Sequence, residues 1–140
     1  MGSTLARVQK LYDRRKDLAR LELVKAQRAH ATEEEHIAEM VASVARAREG
    51  EPVDTNDLAE RQLYALRMEL GRRDRERRLA ELARIVDITR DRATEAGREA
   101  RRVERIIEIR AEQEAVVESG RQQRTLDEAG AIGWTRRNSS

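Results

Sequence analysis

Gly50-Glu51-Pro52-Val53-Asp54-Thr55-Asn56-Asp57 is the stretch on which the fold turns, because it holds the only proline of the chain among small polar residues that favour turns and caps. On both sides Ala, Leu, Arg and Glu dominate, and these are strong helix formers. One helix therefore ends here and another begins. Gly50 can take the left-handed conformation that closes a helix, Arg46 and Arg48 suit its negative end, and Thr55 or Asn56 can cap the next helix with Asp57 in its first turn. The expected organisation is a helix over about residues 4–48, a turn over 49–56, a second helix over about 56–128 and a flexible tail over 131–140, with residues 1–130 forming one domain.

Composition agrees with long helices and excludes most alternatives. Of 140 residues, 39% are hydrophobic and 40% charged, and the aromatic residues are Tyr12, Tyr64 and Trp134 with no Phe. A packed spherical core lacks its usual large side chains, so mixed and all-β folds are set aside. The fold class expected is all-α: a long antiparallel two-helix coiled-coil hairpin whose second helix extends beyond the first. Cations (29) nearly balance anions (27), which gives no polyanion-binding surface by itself. With no cysteine, disulfides and thiolate metal sites are excluded. No apolar run matches a signal peptide or a membrane span, so the expected location is cytoplasmic.

Periodicity is clearest in the second helix, where Leu79, Leu82, Val86, Thr89, Ala93, Ala96, Ala100, Val103 and Ile107 alternate steps of three and four. Upstream the same register falls on Arg61, Ala65, Met68, Arg72 and Arg75, and a second stripe, Leu63, Leu66 and Leu70, takes over. The first helix reads as a drifting seam with an Ala-rich middle, ending in Ile37, Met40, Val41 and Val44. Ala19, Ala26 and Ala29 allow close approach but bury little area. Folding about the turn pairs positions whose numbers add to about 105, which sets Glu33, Glu34 and Glu35 opposite Arg72 to Arg78. It also leaves roughly 25 residues of the second helix without a partner. That overhang carries Val103, Ile106, Ile107, Ile109, Val116, Val117 and Leu126, an apolar strip that another protein or another copy must cover.

Chemistry is hard to find. Two helices offer no concave, dry site where polar groups converge, so no catalytic residue is assigned and an enzyme is not expected. His30 and His36 stand six apart, about 600° around a helix, which does not suit a metal site. No cofactor is implied. The arginine pairs are interleaved with acids and lack stacking aromatics, so nucleic acid is not an expected partner.

The opening Leu5-Ala6-Arg7-Val8-Gln9-Lys10-Leu11, the mid-chain polar turn, and the run Val103-Glu104-Arg105-Ile106-Ile107-Glu108 through Gln122-Gln123-Arg124-Thr125-Leu126-Asp127-Glu128-Ala129 resemble the FliJ/YscO-type family. These are stalk proteins of flagellar and virulence type III secretion export machinery. The resemblance covers residues 4–130 and implies a stalk similar to the γ subunit of rotary ATPases. Its paired ends would enter the export ATPase hexamer and promote its assembly. The turn end would face the export-gate membrane protein, placing the chain peripheral to the inner membrane, and empty export chaperones would be passed along. On this resemblance the ATPase-facing residues are Val103, Ile106, Ile107, Arg110, Val117 and Leu126. The gate-facing set, chosen by stripe, is Met40, Val44, Leu63, Leu66 and Leu70; most of these serve equally as hairpin core. Where the family often has aromatic residues near the turn, this chain offers only Tyr64. The alternative is a structural or chaperone-like coiled coil that self-associates, as a homodimer, through residues 100–128.

Overall fold

The computed structural model describes residues 2–139, with side chains from residue 4 onward, so Ser140 of the expected tail lies outside the described residues. Two helices make an all-α hairpin: α1, Gly2–Ala47, and α2, Thr55–Asn138, the second extending beyond the first. The fold divides into two compact units, residues 14–97, which contain the turn, and residues 1–13 together with 98–140.

Each helix buries one face, and the pattern of burial is more regular than the apolar pattern. In α1 the sheltered positions include Leu5, Gln9, Tyr12, Lys16, Ala19, Leu23, Ala26, His30, Glu33, Ile37, Met40, Val44 and Ala47, an alternation of four and three, and Val8, Asp13, Ala42 and Ser43 are half-buried beside it. The drifting seam read from the sequence is thus corrected. Lys16, His30 and Glu33 hold seam positions, while Leu11, Leu18, Leu21, Val24 and Val41 face outward. Ala29, expected inside, is exposed. Lys16 suits such a position because a long aliphatic stem can pack while the charged head reaches water, whereas Glu33 is enclosed and paired with Arg75 and His30 is paired with Glu34.

In α2 every position from Leu79 to Ile107 in the three-four register is buried or half-buried. Upstream the register continues without a break through Arg61, Ala65, Met68, Arg72 and Arg75. The expected change of stripe does not occur: Leu63, Leu66 and Leu70 are exposed. Thr89 is buried because its Oγ1 donates to the carbonyls of Ile85 (2.8 Å) and Val86 (3.0 Å), leaving no unsatisfied hydroxyl. Among the described residues the buried hydrophobic ones are all alanines, Ala26, Ala65 and Ala100, and no large side chain is fully buried. A core of this kind brings helices close and contributes little area per layer.

Within residues 14–97 the helices run antiparallel. Ser43 hydrogen-bonds Tyr64, Met40 packs on Gly71, and Glu33 pairs with Arg75, at numbers adding to 107, 111 and 108. The register thus lies a few residues beyond the expected 105, because the connection runs alongside the first turns of α2. Arg61 Nη1 donates to the carbonyls of Glu49 (3.2 Å) and Gly50 (2.9 Å), and Arg61 Nη2 pairs with Asp57 at 3.2 Å. Gly50 has φ of 76°, the left-handed conformation expected of it. The cap of α2 is Asp54 rather than Thr55 or Asn56. Its Oδ1 accepts from the Asp57 amide at 2.7 Å, while Asp57 Oδ2 accepts from the Val53 amide at 3.0 Å, a reciprocal arrangement that satisfies two otherwise orphan donors. Arg46, in the last turn of α1, is held above its ordinary pKa by its hydrogen bond to Glu39 and then by that carboxylate's charge.

The second helix does not stop near residue 128. It continues through Gly130 and Gly133 to Asn138, where the expected tail lies. Thr135 Oγ1 bonds the Ala131 carbonyl (2.9 Å) and Arg137 Nε the Gly133 carbonyl (3.3 Å), and Arg136 and Arg137 suit the negative helix end. These offset two glycines, each costing about 1 kcal/mol relative to Ala.

Candidate interaction surfaces

The 14–97 unit carries a polar clasp inside its seam. Glu33, only 4% exposed, accepts from Arg75 Nη1 at 3.2 Å and lies 4.0 Å from Arg78. His36 Nδ1 stands 3.0 Å from the same Arg75 nitrogen and 3.9 Å from Glu33. The expected match of acidic and basic stretches is therefore made by Glu33. Glu34 turns to His30 of its own helix at 3.2 Å, and Glu35 is exposed. Among the described residues no group of His, Cys, Asp or Glu is placed to hold a metal ion.

Toward the turn a groove of about 570 Å³ opens along one side of the two helices. Met40, Val41, Val44, Leu66 and Met68 give it an apolar floor and wall, and Arg48, Gln62, Glu69 and Arg72 form its polar rim. Arg72 reaches Glu76 at 2.9 Å and Glu69 at 3.6 Å; the hydrogen bond to Glu76, then the charges of Glu69 and Glu76, hold its guanidinium above the ordinary value. Of the five residues expected to face the gate, Met40, Val44 and Leu66 line this groove. Leu63 and Leu70 do not, and with Leu66 they form an exposed row at steps of three and four on α2. Val41, Met68 and Arg48 belong to the groove but not to the expected set. The signal for them is the seam register itself, which places Val41, Arg48, Gln62 and Glu69 at its flanks once Arg72 and Arg75 are accepted as seam residues.

In the other unit, Ala100 is 3% exposed, and Val103 and Ile107 are half-buried. From Glu108 through Ile132 every residue is exposed. The expected ATPase-facing residues thus fall into two groups. Val103 and Ile107 serve the seam, while Ile106, Arg110, Val117 and Leu126 are open to solvent. They do not make one strip. Past Ile107 the seam register becomes Arg110, Glu114, Val117, Arg121, Arg124 and Glu128, and Ile106, Ile109 and Val116 line the adjoining face. Leu126 is nine residues beyond Val117, about 180° round the helix. The arm is thus charged along its seam and apolar beside it, with Val116 72% exposed.

No helix among the described residues is long and apolar enough to cross a membrane. Comparisons with known protein families, with characterised proteins and with solved structures find no match to this chain.

Proposed function

We propose that this chain is a non-enzymatic stalk of a flagellar or virulence type III export apparatus, whose C-terminal arm enters the export ATPase ring and promotes its assembly. In the same reading the turn end meets the export gate, and empty export chaperones pass along the hairpin. The observation that carries the proposal is the arm beyond Glu108, a continuous helix whose Ile109, Val116 and Val117 are open to solvent. Leaving such side chains in water forfeits roughly 25 cal/mol per Å² of apolar surface, which a surrounding ring recovers. Alternating charge along the arm, Arg110, Glu114 and Arg121, suits a partner surface of mixed sign and steers encounter more than it adds affinity. The groove lined by Met40, Val41, Val44 and Leu66 supports a second contact, because methionine-lined grooves accept amphipathic helices of varied shape.

Co-elution with the purified export ATPase tests the proposal. The native chain is expected to co-elute, and Ile109→Asp combined with Val117→Asp to elute alone with its helix content intact. Failure of the native chain to bind, together with a dimer that the same substitutions dissociate, would instead establish the self-associating coiled coil.

A further inference from the structure

The first turns of α2 carry a second row with the spacing of a seam, outside the one that packs on α1. Ala59, Leu63, Leu66 and Leu70 follow steps of four, three and four, and all are exposed, the leucines by about half. The next position of the row is Arg73, so the apolar part is short. Charge beside it is ordered. One flank carries Glu60 and Arg67, a heptad apart, and the other carries Gln62 and Glu69.

We infer that this row is a dimer contact, across which α2 of a second copy packs antiparallel. The order of side chains is complementary to its own reverse. With Leu63 facing Leu66 of the second copy and Ala59 facing its Leu70, Glu60 meets Arg67, Arg67 meets Glu60, and Gln62 lies beside Glu69. Two-fold symmetry makes each of these contacts twice. Sliding by half a heptad would set Arg67 against Arg67 and Glu69 against Glu69, and a parallel pair would set Glu69 against Asp74, so like charges disfavour both. An unrelated partner has no need of this reversed order, which commits the row to a second copy. With four apolar residues from each copy, the contact stands at the small end of specific interfaces, so the dimer is reversible. Residues 108–138 take no part in it, and the dimer is therefore independent of the stalk reading.

Sedimentation velocity of the full chain, from low micromolar to hundreds of micromolar, is expected to show the mass rising from 16.1 kDa toward twice that value. Leu63→Glu with Leu70→Glu, both outside the groove, should weaken association at least tenfold while circular dichroism shows unchanged helix content. Glu60→Arg alone and Arg67→Glu alone should each weaken it about threefold or more. An equal mixture of those two chains should associate more tightly than either, because each Arg of one then meets a Glu of the other. A chain that stays at 16.1 kDa throughout overturns the dimer, and so does a mixture that associates no better than its components. A dimer dissociated by Ile109→Asp with Val117→Asp, and untouched by the leucine changes, would overturn it by placing self-association on the arm.

Discussion

Glu33 shows how much one polar side chain settles when the apolar seam is thin. It is almost fully enclosed, and Arg75, Arg78 and His36 converge on it. Its removal leaves Arg75 packed in the seam without its carboxylate, so Glu33→Ala is expected to cost about 1–3 kcal/mol in a urea unfolding series. Arg75 is 40% exposed and can reach water, which keeps the cost below that of a fully buried pair. A double-mutant cycle with Arg75→Ala separates the pair from its surroundings, and additive losses would show that no coupling exists. Glycine makes a second residue-scale contrast. At Gly97 an added Cβ meets nothing within 4 Å, whereas at Gly71 it comes 3.1 Å from Met40 Cε. Gly97→Ala should therefore raise stability by about 0.5–1 kcal/mol, and Gly71→Ala by less, because the flexible end of Met40 must give way. Thermal melts that rank the two in the opposite order would contradict this packing.

At the scale of elements, the two helices, the turn and the left-handed Gly50 were legible from Gly50-Glu51-Pro52 and the helix formers on either side. The seam from Leu79 to Ile107 was legible too, because its positions are apolar or small. What escaped was the seam's polar half. A search for apolar periodicity skips His30 and also Lys16, Arg61, Arg72 and Arg75, whose stems pack like hydrocarbon, and it follows the exposed Leu63, Leu66 and Leu70 instead. The last turns of α2 escaped for a related reason. Gly130 and Gly133 read as breakers, but local side-chain bonds and the terminal arginines carry the helix past them. The start of α2 depends on Asp54, whose carboxylate caps the Asp57 amide. Asp54→Ala is expected to cost about 1 kcal/mol, whereas Asn56→Ala should cost far less, since Asn56 makes no cap. Equal losses in denaturant titrations would move the cap elsewhere.

For the whole molecule, the proposed function rests on the unequal length of the two helices. From Glu108 through Ile132 every residue of the second helix is exposed, so no tertiary packing adds to the intrinsic propensity of that stretch. Binding should then protect it. Within the same arm, position decides what a charge does: Val117→Asp should leave the melting temperature unchanged and abolish ATPase binding. Ile107→Asp should lower both, because Ile107 also serves the seam. Identical effects of the two on melting would deny that distinction.

Amide hydrogen exchange of the full chain with and without purified export ATPase tests most directly whether the ring grips the arm. Protection is expected to rise across residues 108–138 and stay constant across 14–97. Unchanged exchange in the arm, with the ATPase present in excess, would contradict the stalk account.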